Sequence, residues 1–367
     1  PSIRSFAPPK SSSRCVATKR MLYQGPGNGH RSLTENIAFE LGEAEILVRI
    51  TMTTICGSDL HTFEGRRAGH APSVLGHEGV GVVEEVGVNG DTALIGKRVT
   101  WTLTDTCGSC QPCTEWNIPQ KCDTLFKYGH ASIHDGSGFN GCFSSHIVLR
   151  KGTKVVCIPE GMPDAHVVPA NCALATMVAV IEPLLSSSVR PERILIQGAG
   201  LLGIYGAALL QNAGFDDVWL TDVVQDRLDF ATEFGAQPVH ANQLASSKSH
   251  QFDAIIEVAG LSSIISEGIR LLRPGGIYVW AGMVHDQTPL DILGVDIVRG
   301  ALTIIGIHNY RAEHLEESIE FLCKTAERYP WDKLVSPPMK LSELDKAFEL
   351  SQQRTWHRVS LISDSDS

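Results

Sequence analysis

The sequence predicts an α/β protein in two parts, a β-rich domain followed by a doubly wound parallel sheet, and three observations carry that expectation. At 367 residues the chain is longer than a single hydrophobic core usually serves, so two domains are expected. Its pattern of elements changes near residue 190, from short β-branched runs to strands alternating with helical stretches. A glycine-rich turn, in RILIQGAGLLG, marks the first strand–helix junction of the second part.

In the first part, CVATKRMLYQ, ILVRITMTTI, GVGVVEEVG and KRVTWTL read as strands separated by Gly, Pro and polar turns, which suggests a partly open barrel or a sandwich. In the second, RILIQG, VWLTD, FDAIIEVAG, GGIYVWAG and LTIIGI read as strands. Between them lie the helical GLLGIYGAALLQNAG, RLDFATEFGA and SSIISEGIRLL, the alternation of a parallel sheet. An amphipathic segment, EHLEESIEFLCKTAER, follows, and the polar ISDSDS ends the chain as a frayed tail. The opening PSIRSFAPPKSSSR, with three basic and no acidic residues, has the composition of an organelle-targeting remnant or of a flexible tail. A cytoplasmic location is expected, with the mitochondrion as the alternative. No stretch reads as the roughly 18 to 20 apolar residues that cross a bilayer.

Charge narrows the partners. Thirty-one Lys and Arg against 41 Asp and Glu give a net charge of −10, without the basic footprint of a protein that holds nucleic acid or an anionic membrane surface. Small molecules are the expected partners.

Ten cysteines narrow the chemistry. Four fall within CGSCQPCTEWNIPQKC, residues 107 to 122, and six are scattered at 15, 56, 142, 157, 172 and 323. A secreted disulfide scaffold would be shorter and denser in cysteine. Cys107, Cys110 and Cys113, with two residues between each pair, and Cys122 after eight more can converge on one tetrahedral ion, because zinc takes four soft ligands and a folded-back loop supplies them. Four thiolates close the shell, so the site reads as structural. An iron–sulfur cluster is the alternative use of the same ligands.

The glycine turn carries the second chemistry. Gly198, Gly200 and Gly203 stand between a buried strand and a helix, and Asp222 ends the next strand 19 residues after Gly203. That is the fingerprint of a dinucleotide-binding Rossmann domain. Gly198 makes the tight turn, Gly200 lets the backbone approach a pyrophosphate, and Gly203 lets the helix pack on the strand. Asp222 suits the adenosine ribose hydroxyls and repels a 2′-phosphate, and Val223 and Val224 after it are uncharged, so NAD is expected over NADP.

A third constellation lies in TICGSDLHTFEGRR and VLGHEGVGVV, which gather Cys56, Asp59, His61, His77 and Glu78. Singly, each has an ordinary structural reading. Together with the glycine fingerprint and the four-cysteine loop, they resemble the zinc-dependent alcohol dehydrogenases of the medium-chain dehydrogenase/reductase family, in the family's order from about residue 16 to about 360. The resemblance implies a β-rich, GroES-like catalytic domain with a structural zinc lobe over residues 1–172 and 309–367, and an NAD-binding Rossmann domain over residues 173–308. It also implies two zinc ions per chain, NAD, a small alcohol or carbonyl substrate, and a dimer or tetramer.

Carried over residue by residue, the resemblance makes Cys56 and His77 ligands of a catalytic zinc, Glu78 a carboxylate able to approach it, and Asp59 the group that orients His77. For the third ligand the sequence offers Cys172 in PANCALAT or Glu182 in IEP, the latter as in polyol dehydrogenases. Cys172 is chosen, because its 26 residues before Gly198 leave room for a helix and a strand and the 16 after Glu182 do not. Ser58 would hydrogen-bond the substrate hydroxyl and His61 would pass its proton to solvent. Leu201 and Leu202 at the helix start, Arg227 near the adenosine ribose and Arg358 in WHRVSL near the pyrophosphate complete the cofactor set. Cys107, Cys110, Cys113 and Cys122 would hold the structural zinc. The family's spacing between the last two is usually one residue shorter, so TEWNIPQK holds an insertion that the loop must bulge out.

A zinc-ribbon nucleic-acid module would leave the glycine fingerprint unused, and a catalytically retired family member would usually lack Cys56, His77 or Cys172. A polyol dehydrogenase of sorbitol type is the alternative within the class. HTFEGRR, KCDTLFKYGH and IGIHNY are similar to a subgroup associated with phosphonate catabolism. Arg66 and Arg67 are therefore expected either to grip an anionic substrate group or to sit as a surface pair with Glu64.

Overall fold

The computed structural model describes residues 15–246, 250–284 and 288–364. The targeting-like opening segment and the last three residues of ISDSDS lie outside the described residues. The chain divides into two compact units, Pro1–Cys172 with Trp331–Ser367, and Ala173–Pro330.

The first unit is built on a seven-stranded sheet whose centre is the antiparallel pair Ile46–Ile55 and Glu78–Val86. Arg98–Trp101 and Val155–Cys157 extend it on one side, Val359–Ile362 and Met339–Lys340 on the other, and His146–Leu149 pairs with Ile46–Ile55 off that path. The run ILVRITMTTI alternates its side chains between two covered faces. Ile46, Val48 and Ile50 join Val83, Val99, Trp101, Ile147 and Leu149 in one cluster, while Leu47 packs with Ile37, Phe39, Phe139 and Val148 in another. A smaller sheet sets Cys15–Tyr23 between His30–Ala38 and Ser73–Val74. The strand His30–Ala38 does not stand out in the sequence: HRSLTENIA is polar and largely exposed, and only its nine-residue antiparallel register against Cys15–Tyr23 makes it a strand.

The second unit holds a six-stranded parallel sheet in the order Gln237–His240, Asp217–Asp222, Arg193–Gln197, Phe252–Glu257, Leu272–Trp280, Thr303–Gly306. In chain order that is 3-2-1-4-5-6, the doubly wound arrangement, and its switch point falls at Arg193–Gln197, the strand that feeds the glycine turn.

Two expectations are corrected. Residues 309–330, assigned from sequence to the catalytic domain, group with the second unit. The helix Ala312–Lys324 buries Leu315, Ile319, Phe321 and Leu322 and packs against the helix Ala175–Leu185 of that unit. One run, Asp164–Leu185, is helical over 22 residues and apolar enough by composition to cross a bilayer, against the expectation of none; 78% of its most apolar window is buried within the fold.

Candidate active site

Sheet register gathers the first constellation. Thr54 pairs with Glu78 and Ile55 with Val359, so Cys56, His77 and Arg358 each stand just beyond a strand end at one edge of the same three strands. Cys56 then caps the helix Gly57–Phe63, where Asp59 sits at the third position and accepts a 2.9 Å hydrogen bond from the Cys56 backbone N–H. The other Asp59 oxygen accepts from the Gly76 N–H at 3.3 Å and lies 3.3 Å from His77 Nδ1, close enough for a charge interaction though not aligned as a hydrogen bond. One buried carboxylate thus ties the two ligand-bearing segments together. Cys172 arrives on the π-helical turn Ala170–Leu174, and its neighbour Asn171 donates to the backbone oxygens of His77, at 3.1 Å, and Trp101, at 3.0 Å.

Donor atoms of Cys56, His77, Glu78 and Cys172 all lie within 4.8 Å of one another, a set that can hold a metal ion. The two thiols are 3.9 Å apart and share the cost of burial unequally: Cys172 holds its proton and Cys56 is pushed well down, by the Cys172 contact and by the Arg358 charge. Burial pulls His77 down, but Asp59 and Cys56 outweigh it and raise the imidazole to about 10. This is the electrostatics of a site preorganised for a cation, which would replace those protons. Two sulfurs and one imidazole are also the donor types zinc takes. Glu182, the rejected third ligand, lies elsewhere, pairing with Arg311 at 2.7 Å and His314 at 3.5 Å.

Glu78 is fully buried, and its carboxylate is already occupied. Arg358 donates Nε and an Nη to its two oxygens at 2.7 and 2.8 Å, and the Thr54 hydroxyl adds a third bond at 2.5 Å. Burial nonetheless pushes the Glu78 carboxyl up, against the Arg358 charge. Arg358, assigned from sequence to the cofactor, has its contacts here: it grips Glu78 bidentately and lies 3.5 Å from Cys56 Sγ. Ser58 and His61 sit one turn apart on the helix Gly57–Phe63, and Ser58 Oγ is 3.4 Å from His77 Nε2.

The four-cysteine loop forms a second set, with the sulfurs of Cys107, Cys110, Cys113 and Cys122 all within 4.8 Å. Cys107 Sγ accepts from the backbone N–H groups of Ser109 and Cys110 at 3.4 Å each, and Cys122 Sγ from that of Cys107 at 3.3 Å. The Ser109 hydroxyl and these amides bring the Cys107 thiol down to about 5, whereas burial pushes Cys113 up to about 12. Four sulfurs with backbone donors aimed at them suit a tetrahedral zinc. After the short helix Gln111–Thr114, Asn117 turns left-handed at φ 54 and Trp116 stands 58% exposed.

In the second unit, Gly198 has φ +117, and a Cβ on Gly203 would stand 1.9 Å from the Gly198 oxygen, so neither position admits another residue without backbone movement. Gly200 caps the helix Leu201–Asn212 and faces open space within 4 Å, a cradle a phosphate can enter. Leu201 and Leu202 begin that helix. Asp222 accepts from the backbone N–H groups of Ala199 at 2.8 Å, Val223 at 2.8 Å and Val224 at 3.0 Å, fixing the end of its strand to the glycine turn. Arg227 lies on the helix Gln225–Ala231 that follows.

Comparison with known proteins finds two family matches along the chain. The alcohol dehydrogenase GroES-like domain matches residues 42–160, and the glucose dehydrogenase C-terminus matches residues 175–360, half of the chain by itself. The chain belongs to the zinc-type alcohol dehydrogenase family. As a member it is an oxidoreductase. It is 29% identical to the L-threonine 3-dehydrogenase of Streptomyces avermitilis over 73% of this chain and 78% of that one. It is 26% identical to a probable D-xylulose reductase A of Aspergillus clavatus, over 83% and 86%. An alcohol dehydrogenase structure from Thermotoga maritima superposes with a TM-score of 0.85 at 27% identity, covering 95% of this chain and 100% of the other.

This alcohol dehydrogenase separates the two arginines that the sequence groups. Arg66 is exposed and its guanidinium is held by Glu64. Arg67 is half-buried, and its backbone N–H donates to the His61 oxygen at 3.0 Å. Sequence reasoning also missed Thr54, Asn171, Lys127 and His130. The last two flank Tyr128 and Gly129, and the His130 ring lies 5.2 Å from that of His77. The only local signal for them is KYGH, a glycine between two basic residues.

Proposed function

We propose that this zinc-type alcohol dehydrogenase oxidises a small alcohol bearing an anionic group, such as a phosphonate, with NAD as acceptor, or reduces the matching carbonyl. The observation that carries the reading is the convergence of Cys56, His77 and Cys172 while Arg358 and Thr54 occupy Glu78. Three protein donors leave a fourth position open, the arrangement of a catalytic rather than a structural zinc. When bound there, zinc supplies a Lewis acid that acidifies the alcohol and polarises the carbonyl, and NAD supplies the hydride acceptor.

The protein's own work is positional. Cys56, His77 and Cys172 are assigned as the catalytic-zinc ligands, with Asp59 holding the imidazole. Arg358 keeps the Glu78 carboxylate from competing for the ion. Ser58, 3.4 Å from His77 Nε2, would take the substrate's proton, and His61, one turn along the same helix, would hand it on. Gly198, Gly200 and Gly203, with Leu201 and Leu202, would cradle the pyrophosphate, and Asp222 and Arg227 would meet the adenosine ribose. Cys107, Cys110, Cys113 and Cys122 are assigned to the structural zinc.

The anionic substrate rests on Arg67, which no carboxylate holds among the described residues, and on the similarity of HTFEGRR, KCDTLFKYGH and IGIHNY to the phosphonate-associated subgroup. The test is NADH formation, followed by absorbance, across a panel of neutral alcohols, polyols and hydroxyalkyl phosphonates, phosphates and carboxylates. Zinc-loaded protein that reduces NAD with none of them overturns the proposal. A preference for polyols over every anionic alcohol overturns its substrate part.

A further inference from the structure

We propose that Arg67, Lys127 and His130 form an anion subsite beside Cys56, His77 and Cys172, and that it receives the tetrahedral dianionic head group of a hydroxyalkyl phosphonate or phosphate ester. The inference rests on the alcohol dehydrogenase reading above and names the residues that would select its substrate.

Gly129 is what brings two of the three, Lys127 and His130, to the His77 segment. Its φ is +71, and a Cβ there would lie 2.4 Å from the Gly76 oxygen and 3.1 Å from His77 Cβ, so the turn is pressed onto the segment that carries the metal ligand. Lys127 and His130 bracket that turn, the His130 N–H reaching the Lys127 oxygen at 3.4 Å. The two therefore arrive at the site with it. The imidazoles of His77 and His130 stack at 5.2 Å and 30°, and His130 Nε2 is buried with no hydrogen-bond partner. Arg67 comes from the other direction, anchored through its backbone to His61. Burial is the main cause that pulls Lys127 and His130 down; the Arg67 charge adds to it at Lys127, and at His130 it follows the charges of His77 and Lys127.

No carboxylate offsets this charge. Among the described residues neither Arg67, Lys127 nor His130 has an acidic partner, and the nearby acids are engaged: Glu78 by Arg358, Asp59 by His77 and Glu64 by Arg66. The sulfurs of Cys56 and Cys172 favour the Lys127 ammonium, a balance that zinc held by the two would offset. Gathering two cations and an orphaned ring nitrogen without a carboxylate costs stability, and a bound anion removes that cost. Two cations match a dianion better than a carboxylate, and donors from two directions suit a tetrahedral group better than a planar one.

The test uses zinc-loaded enzyme and methylphosphonate as probe, titrated calorimetrically into wild type, Arg67→Met, Lys127→Met, the double variant and Arg66→Met, with zinc content confirming that each variant folds. Each single change at Arg67 or Lys127 should weaken binding about tenfold and the double change about a hundredfold, with Arg66→Met like wild type. In parallel, the ratio of kcat/KM for 2-hydroxyethylphosphonate to that for 1-butanol should fall by similar factors. Wild type that does not bind methylphosphonate, or a double variant that binds it as wild type does, overturns the subsite. Acetate binding more tightly than methylphosphonate overturns the dianion assignment. Enzyme that oxidises neutral alcohols but fails these binding tests keeps the dehydrogenase reading and loses the subsite; enzyme that binds the probe through Arg67 and Lys127 but oxidises no alcohol does the reverse.

Discussion

At Gly129 a side chain has nowhere to go, because its backbone is left-handed and its neighbour is the backbone of the His77 segment. Gly129→Ala is expected to cost about 1–3 kcal/mol of stability and to lower zinc occupancy by displacing His77. Denaturant unfolding and elemental analysis would check both, and unchanged zinc content would mean that the approach is not what positions His77. Asp222 gives a second test at this scale. Asp222→Ala should narrow or reverse the ratio of kcat/KM for NAD to that for NADP, since it removes the repulsion of a 2′-phosphate. Wild type indifferent between the two cofactors would count against the assignment. Because Asp222 also accepts three backbone N–H groups, the change should lower stability as well. The sequence shows these roles unevenly. Cysteines and glycines at fixed short spacings declare themselves, since the chemistry and the turn are both local. Lys127 and His130 do not, because their meaning depends on Gly129 touching Gly76, more than fifty residues earlier in the chain. Arg66 and Arg67 look alike in sequence, and only the fold gives one to Glu64.

Among the elements, the helix Gly57–Phe63 carries Ser58 and His61 and is held from behind by a strand that sequence patterning did not reveal. His30, first residue of His30–Ala38, stacks on Phe63 at 5.5 Å and 8°, meets Phe348 at 5.0 Å, and has Nδ1 2.6 Å from Asp345. Alternation is the signal for a half-buried strand, and HRSLTENIA lacks it because the strand is an edge whose partners supply the burial. Burial lowers the His30 pKa below its usual 6.5, and Asp345 opposes this without prevailing. The unfolded chain therefore takes up the proton first as pH falls. His30 contributes stability that is fully present above 6.5 and is lost as pH falls below it toward the folded value. His30→Phe should keep the ring stacking and remove that loss. Compared from about pH 7 to about pH 5, the urea midpoint of wild type should fall relative to that of His30→Phe as the pH falls. A constant difference across that range would exclude His30 as a source of the acid slope.

For the whole molecule, the fold class and the order of its parts were legible, since period-2 runs give way to strand–helix alternation and each motif sits at an element boundary. The return crossing was not: Ala312–Lys324 is an amphipathic helix whose sequence does not say which unit it covers, and it packs on Ala175–Leu185. The two metal sets differ in how much of their geometry the fold supplies, and that difference can be measured. Cys56 and His77 are set by strand register and Cys172 by a buried turn tied to His77, so these donors converge through the sheet itself. Cys107, Cys110, Cys113 and Cys122 come from one loop whose regular structure is a four-residue helix and a three-residue 3₁₀ turn, too little to hold four sulfurs together without an ion. Wild type should contain two zinc ions per chain by elemental analysis of chelator-free protein. Cys110→Ser should lose the loop's zinc and fold poorly, with a lowered midpoint of thermal unfolding. Cys56→Ser should keep one zinc and a near-native midpoint yet fail to turn over any alcohol. Wild type with a single zinc would remove one of the two sites, and a Cys56→Ser protein as unstable as Cys110→Ser would mean that the ion, rather than the sheet, assembles the active site.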